Sequence, residues 1–320
     1  MIRASIIGTG SYLPDKILTN ADLEKIVDTT DEWITDRTGI KERRISSPEQ
    51  ATSDLAIEAA KRALASAKID PKEIQLIIVG TSSPDMLFPS TSCIVQDKIG
   101  AVNAAAFDVS AACSGFNFAL ASAASFIESG IYNNVMVIGA DTLTKYIDWT
   151  DRNTCILFGD GAGAAILKAS NDGSGVLASH LGADGSGGKY LTMPGGGSRD
   201  PEAKNRFITM DGKEVFKFAV KILPSSIKAV LDKAKVKTDE ISLMIPHQAN
   251  MRIIDFALRN LGLPKEKVYV NLHRYGNTSA ASIPIALDEA LKEKRIKKGD
   301  IIVLAGFGAG LTYGANVIKW

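Results

Sequence analysis

The feature that most constrains this chain is that its second half repeats its first. Leu64, Ala67, Lys68, Ile69, Glu73 and Ile74 recur as Leu231, Ala234, Lys235, Val236, Glu240 and Ile241, each 167 positions later. The apolar run 135–138 returns as 301–304 at an offset of 166, and Ala119-Leu120 returns as Ala286-Leu287 at 167. Each match is weak alone, but one near-constant offset over three segments predicts two copies of a single unit. The continuous apolar runs 76–79 and 135–138 suit parallel strands buried on both faces. Residues 54–68 read as a helix with Leu55, Ala59 and Ala63 on one face and Ser53 as its cap. Helices alternating with buried strands predict an α/β fold of mostly parallel sheets covered by helices. A length of 320 residues suits two such units, which we bound at 1–170 and 171–320.

Composition narrows the setting. With 45% hydrophobic and 23% charged residues, the chain reads as a soluble globular protein. A net charge of +1 gives no general reason to expect nucleic acid or membrane binding. Cys93, Cys113 and Cys155 have neither disulfide nor metal-type spacing, so a reducing compartment and no metal are expected. The N-terminal strand 2–7 meets Gly8 too soon for a signal-peptide core. No run approaches the ~20 apolar residues of a membrane span, and a cytoplasmic location is the expectation.

The stretch 104–116 holds the first chemical signal. Residues 104–109 suit a buried strand, small residues at 110–112 suit a bend, and 116–127 suit a helix. A thiol at that junction, Cys113, lies at the positive end of the helix dipole, which lowers its pKa and favours a nucleophile. A small, inert core thiol fits the stretch equally well. Two Gly-rich stretches lack a nucleotide signature. Gly8-Thr-Gly10 is followed by Leu13 and Pro14 where a dinucleotide fingerprint needs Gly and a helix. A phosphate loop at 183–189 would need Gly at Ala183 and Ser or Thr at Tyr190. We read 182–201 as a surface connection, 159–164 as a turn between close-packed elements and 20–26 as a short helix.

His180 and His273 have no local signature and read as structural. His247 differs, because it follows the apolar strand 241–245 in Pro246-His-Gln-Ala-Asn-Met-Arg252. Polar clusters at strand ends are where α/β folds place active sites. Asn277 lies in the small, polar stretch 275–282, and the repeat makes 277–280 the counterpart of the Cys113 loop. A pseudo-twofold axis would set those two loops face to face. Gly306-Phe-Gly-Ala-Gly310 follows the strand 301–305, and its backbone can approach a reacting carbonyl closely.

These pieces together, at 108–115, 246–250, 276–282 and 306–310, carry a resemblance over essentially the whole chain. The sequence resembles the β-ketoacyl-acyl-carrier-protein synthase III family, the initiating condensing enzymes of fatty acid synthesis. The resemblance implies a thiolase-like fold of two pseudo-symmetric α/β halves in a layered αβαβα architecture. It implies a ping-pong, decarboxylative Claisen condensation of an acyl-CoA primer with malonyl-acyl carrier protein. Cys113 would carry the acyl group, while His247 and Asn277 would stabilise the enolate left as CO2 departs. The Cys113 and Ala309 N–H groups would form the oxyanion hole. His247 would need to be neutral with Nε2–H donating. No cofactor is implied, acyl-CoA being a substrate.

The same resemblance suggests Trp33, Arg37 and Arg152 for the CoA nucleotide, with Asn250 and Phe216 along the pantetheine arm. Asn153 stands where the family often has Gly. Phe88 resembles a residue that closes the partner's acyl pocket in a homodimer. An acidic carrier protein would dock on Gln248, Arg252, Lys213, Lys217 and Arg259. Lys213, Lys217 and Lys221 share one stripe of a helix whose other face carries Val215, Phe218, Ala219 and Ile222. Asn260 stands where a further basic residue is familiar. A thiolase would need a second cysteine near the C-terminus, but none follows Cys155. Elongating condensing enzymes have a second His at the Asn277 position. Chalcone-type polyketide synthases share Cys, His and Asn and are the enzymatic alternative; a binding-only thiolase-fold protein is the other.

Overall fold

The computed structural model describes residues 2–320. Two sheets carry the repeat. In the first, β1 (Arg3–Tyr12), β7 (Gly161–Ser170), β6 (Asn134–Asp141), β4 (Leu76–Gly80) and β5 (Ala105–Val109) lie side by side in that order. β7 pairs antiparallel with β1 and β6, and β4 pairs parallel with β6 and β5. In the second, β8 (Gly175–Ala183), β13 (Thr312–Lys319), β12 (Ile301–Gly308) and β11 (Leu243–Pro246) repeat that pattern of two antiparallel pairings followed by a parallel one. A parallel bridge from Met244 to Val268 stands in the place of the fifth strand.

Strand alternation builds the layers. Leu76 and Ile78 of β4 face inward, where they join Leu243, Ile245, Ile302 and Leu304 of the second sheet in one core. Helices α5 (Gly115–Glu128) and α9 (Ser282–Lys292) fill that core with Phe116, Leu120, Ile283 and Leu287. Ile77 and Val79 face the other way, against α3 (Thr52–Ala67) and α4 (Thr91–Ile99). Helices α6 (Gly212–Ala234) and α7 (Met251–Leu261) cover the outer face of the second sheet. The order is helix, sheet, helix, sheet, helix, as the repeat and the resemblance implied. Outside the layers, β2 (Lys16–Thr19) and β3 (Glu42–Ile45) form a hairpin enclosing α1 (Asn20–Leu23) and α2 (Asp31–Thr38). A ribbon of β9 (Leu191–Thr192) and β10 (Thr209–Met210), and α8 (Leu272–Tyr275), complete the elements used below.

Four local expectations are corrected. Ser53 does not cap α3: its N–H and hydroxyl bond to Asp85 at 2.9 and 2.6 Å, and the helix starts two residues earlier than expected, at Thr52. The helix expected over 20–26 stops at Leu23. Residues 161–164 are strand, not turn; a Cβ on Gly163 would stand 2.7 Å from the Ile285 nitrogen, so close packing of α9 is what needs glycine. The strand before Cys113 is not buried: β5 is the sheet edge, and Phe107 is 37% exposed.

Candidate active site

Cys113 sits in a turn of 3-10 helix, Ala112–Ser114, that leads from the end of β5 into α5. Ala112 has φ +47°, a left-handed conformation that tightens the turn. Ser279, 167 positions later, has φ +52° and opens the turn Ser279–Ala281 into α9. The two turns meet face to face, since a Cβ on Gly115 would lie 3.3 Å from that of Ala280. Asp141, at the end of β6, braces this meeting by accepting from the Ala280 N–H (3.2 Å) and from Ser82 and Ser83. Cys113 opens onto a cavity of about 60 Å³, lined by Leu143, Phe158, Leu191, Met193, Ser279 and Ala309 among others.

The expected lowering of the thiol pKa is not what the environment favours. Burial pushes Cys113 up to about 12, and the nearby Asp141 charge adds to it. The second half closes over the turn and leaves Cys113 6% exposed, which favours the neutral thiol. The helix N-terminus acts against that penalty without removing it.

His247 follows β11 and is buried. Its N–H donates to the Ala305 carbonyl at 2.7 Å, and its Nδ1 lies 2.7 Å from Ser282 Oγ. The Phe307 ring meets the imidazole edge-on at 5.5 Å between centroids. Burial pushes the imidazole down to about 3, so it is neutral at pH 7. Asn277 is held through its backbone, donating to Leu157 O (2.8 Å) and accepting from Gly159 N–H (3.0 Å). Its Oδ1 accepts from the Ser279 N–H at 2.8 Å. Among the described residues its Nδ2 has no partner, so the amide offers a donor.

Strand β12 joins these groups. It pairs with β11 below His247, and its Gly308 lies against the Cys113 turn: a Cβ there would stand 2.6 Å from the Cys113 nitrogen. Among the described residues, no turn, loop or cap hydrogen bond takes up the Cys113 or Ala309 N–H. Ala309 also lines the thiol cavity.

A cleft of about 960 Å³ approaches this site, lined by Trp33, Arg37, Asn153, Lys213, Phe216, Lys217, Asn250 and Arg252. Leu157 and Thr209 line the cleft while their neighbours Phe158 and Ile208 line the thiol cavity, so the two adjoin. Arg37 and Arg152 lie 4.4 and 5.1 Å from the centre of the Trp33 ring. Asn250 caps α7 and donates from Nδ2 to Arg37 O at 3.0 Å. Lys221 and Arg259 are exposed but do not line the cleft, and Asn260 accepts from Lys228. Phe88 is 84% exposed on its loop, away from its own chain's thiol cavity.

Gln248 cannot serve as a docking residue. It is 1% exposed, its amide donates to Pro246 O and Tyr269 O, and its Oε1 accepts from the Asn271 N–H. The reading of 182–201 as surface connection also fails in part, because Leu191, Thr192 and Met193 wall the thiol cavity. Two apolar residues directly after a Gly-rich run were the available signal. Ser279 and Ser282 were missed because a serine inside a small-residue motif carries no pattern of its own. His180 packs on Tyr313 and His273 lines a separate surface cleft.

The chain has counterparts among known proteins. The family model described as 3-Oxoacyl-[acyl-carrier-protein (ACP)] synthase III matches residues 107–185, and the one for its C-terminal part matches 231–320. A beta-ketoacyl-[acyl-carrier-protein] synthase III of Caldanaerobacter subterraneus is 61% identical over 100% of this chain and 98% of its own. The crystal structure of 3-oxoacyl-[acyl-carrier-protein] synthase III from Aquifex aeolicus VF5 superposes with a TM-score of 0.94 at 52% identity, covering 99% and 100% of the two chains. The priming beta-ketosynthase of the R1128 polyketide biosynthetic pathway superposes with a TM-score of 0.92 at 37% identity, covering 99% and 96%.

Proposed function

The chain belongs to the 3-oxoacyl-[acyl-carrier-protein] synthase III family, and from that premise we propose how its residues divide a decarboxylative condensation. An acyl-CoA enters by the cleft, its nucleotide against Trp33, Arg37 and Arg152 and its pantetheine arm past Phe216 and Asn250. The Cys113 sulfur bonds to the acyl carbon, the bond to the CoA sulfur breaks, and the thiol proton leaves on CoA. The Cys113 and Ala309 N–H groups stabilise the oxyanion, each donor being worth roughly 3 kcal/mol. Malonyl-acyl carrier protein follows. Its carboxylate leaves as CO2, and the bond's electron pair passes into an enolate whose oxygen accepts from His247 and Asn277. The enolate carbon attacks the acyl-Cys113 carbonyl, and the thiolate departs and takes up a proton.

The observation that carries this reading is the burial of both His247 and Cys113, with the imidazole Nδ1 held 2.7 Å from Ser282 Oγ. A histidine pushed down to about 3 is a poor proton acceptor. It suits a site that generates its carbanion by losing CO2, with hydrogen-bond donors to hold the charge. The small, apolar thiol cavity suits a short primer. Acidic carrier protein would dock on Lys213, Lys217 and Arg252, which line the cleft, and on Arg259, exposed on the same helix as Arg252. Among the described residues, no helix is long and apolar enough to cross a membrane. Exposed Met86, Leu87 and Phe88 support a homodimer.

The test is intact-protein mass after mixing with acetyl-CoA, then with malonyl-acyl carrier protein. One acetyl group should appear on Cys113 and disappear as β-ketoacyl carrier protein forms. A protein that never acquires the acetyl group, or that keeps it, sinks the proposal.

A further inference from the structure

Ser282 is the first residue of α9, 2% exposed, with its hydroxyl oxygen 2.7 Å from His247 Nδ1. A hydrogen bond of this length can run either way, and the direction decides what the other ring nitrogen can do. If Nδ1 carried the proton and donated to Oγ, Nε2 would be a bare acceptor. The hydroxyl's surroundings settle the direction. The Gln248 N–H points at the same Oγ from 3.4 Å, so the oxygen already faces one inbound donor. The hydroxyl proton then needs an acceptor. Among the described residues, Ser282 Oγ has no other partner than the Gln248 N–H and His247 Nδ1. Donation from Nδ1 would leave the serine proton buried without a partner, at the full desolvation cost of that group. Donation from Ser282 satisfies both the hydroxyl proton and Nδ1, and leaves the Nε2–H as the ring's free donor.

The repeat makes the serine conspicuous. The matching position in the first half, 167 residues earlier, is Gly115, where a Cβ would be crowded by Gly80 Cα at 3.2 Å and Ala280 Cβ at 3.3 Å. The two turns are otherwise built alike, with left-handed residues at Ala112 and Ser279. A side chain therefore stands at the start of the helix only in the half that carries His247.

We infer that Ser282 is a positioning residue: its hydroxyl donates to His247 Nδ1 and fixes the imidazole as the Nε2–H tautomer that stabilises the enolate. This inference rests on the reading of His247 given above. Ser282 does not touch substrate; it determines which ring nitrogen carries the proton and holds the ring plane.

The experiment uses the full-length enzyme labelled with 15N-histidine, in wild type, Ser282→Ala and Ser282→Thr. His247→Ala assigns the His247 signals among the three histidines. In wild type the spectrum should show the Nε2–H tautomer at neutral pH. Ser282→Ala should lower that population and slow decarboxylation of malonyl-acyl carrier protein by roughly 10-fold, less than the 10²–10³ lost when a preorganised donor is removed outright. Acylation of Cys113 by acetyl-CoA should persist at its wild-type rate, which also reports an intact fold. Ser282→Thr keeps the hydroxyl and should restore both tautomer and rate. An Nδ1–H tautomer in wild type overturns the inference without any variant. So does decarboxylation in Ser282→Ala within about 2-fold of wild type, a change smaller than one ordinary hydrogen bond is worth. An Nε2–H tautomer that is lost in Ser282→Ala, in an enzyme with no decarboxylase activity, supports the hydrogen-bond direction and overturns the functional reading instead.

Discussion

At the scale of single residues, the site separates two tasks. Cys113 and its cavity belong to the turn before α5, whereas His247 and Asn277 are fixed by β11 and by the turn before α9. Cys113→Ala should abolish acyl transfer and leave malonyl decarboxylation measurable. His247→Ala and Asn277→Ala should do the reverse. Separate assays of acyl-enzyme formation and CO2 release read the two tasks. If His247→Ala blocked acylation as fully as Cys113→Ala does, His247 would be a base for the thiol. Burial of His247 also has a cost in acid. Its folded pKa of about 3 lies below the ordinary value of 6.5, so the unfolded chain takes up a proton that the folded chain refuses. Its contribution is complete above pH 6.5 and is lost as pH falls towards 3, at about 1.4 kcal/mol per pH unit. Asp141 and Asp160, whose carboxyls burial pushes up, act in the opposite sense but are common to wild type and variant. Denaturant unfolding at pH 7.5 and pH 5 should therefore show a steeper acid loss in wild type than in His247→Gln. Equal slopes would mean that the folded imidazole titrates normally.

At the scale of elements, β12 does the joining, and its glycines are spatial requirements. Neither Gly306 nor Gly308 has a positive φ, so conformational freedom is not the reason for them. A Cβ at Gly308 would lie 2.6 Å from the Cys113 nitrogen and 2.9 Å from its Cβ, closer than packed atoms come. Gly308→Ala must push the Cys113 turn away and misplace one oxyanion donor. Acylation should fall by roughly 10²–10³, while decarboxylation at His247 and Asn277 changes far less. Gly185→Ala, where nothing lies within 4 Å, is the control and should be silent. Wild-type acylation rates in Gly308→Ala would show that the Cys113 N–H takes no part.

At the scale of the whole molecule, the exposed surface is uneven. β5 ends the first sheet with its outer edge unpaired, and Phe107, Val102, Met86, Leu87 and Phe88 are exposed at 37, 67, 51, 79 and 84%. An unpaired edge beside an apolar loop invites pairing with another chain. Sedimentation should give a homodimer, and Phe88→Ala should alter primer use although Phe88 lies outside its own chain's cavity. A monomer with full activity would remove the basis for both expectations.

Much of this was legible along the chain. The 167-residue offset, the apolar runs and the placement of Cys113, His247 and Asn277 after strands are local patterns, and strand period and turn chemistry are set by neighbours in sequence. What the sequence could not decide depends on what lands beside what. The thiol's pKa is raised because the folded chain buries Cys113, and a hydrogen bond from Ser279 only partly offsets that burial. Gln248 reads as a surface polar residue until three backbone groups are seen to hold it inside. β5 reads as buried because its residues are small and apolar, yet sheet order puts it at the edge. The direction of the Ser282 hydrogen bond turns on Gln248, 34 residues away. Burial and hydrogen-bond direction are properties of an environment assembled from distant segments, so they exist only once the halves have closed on each other.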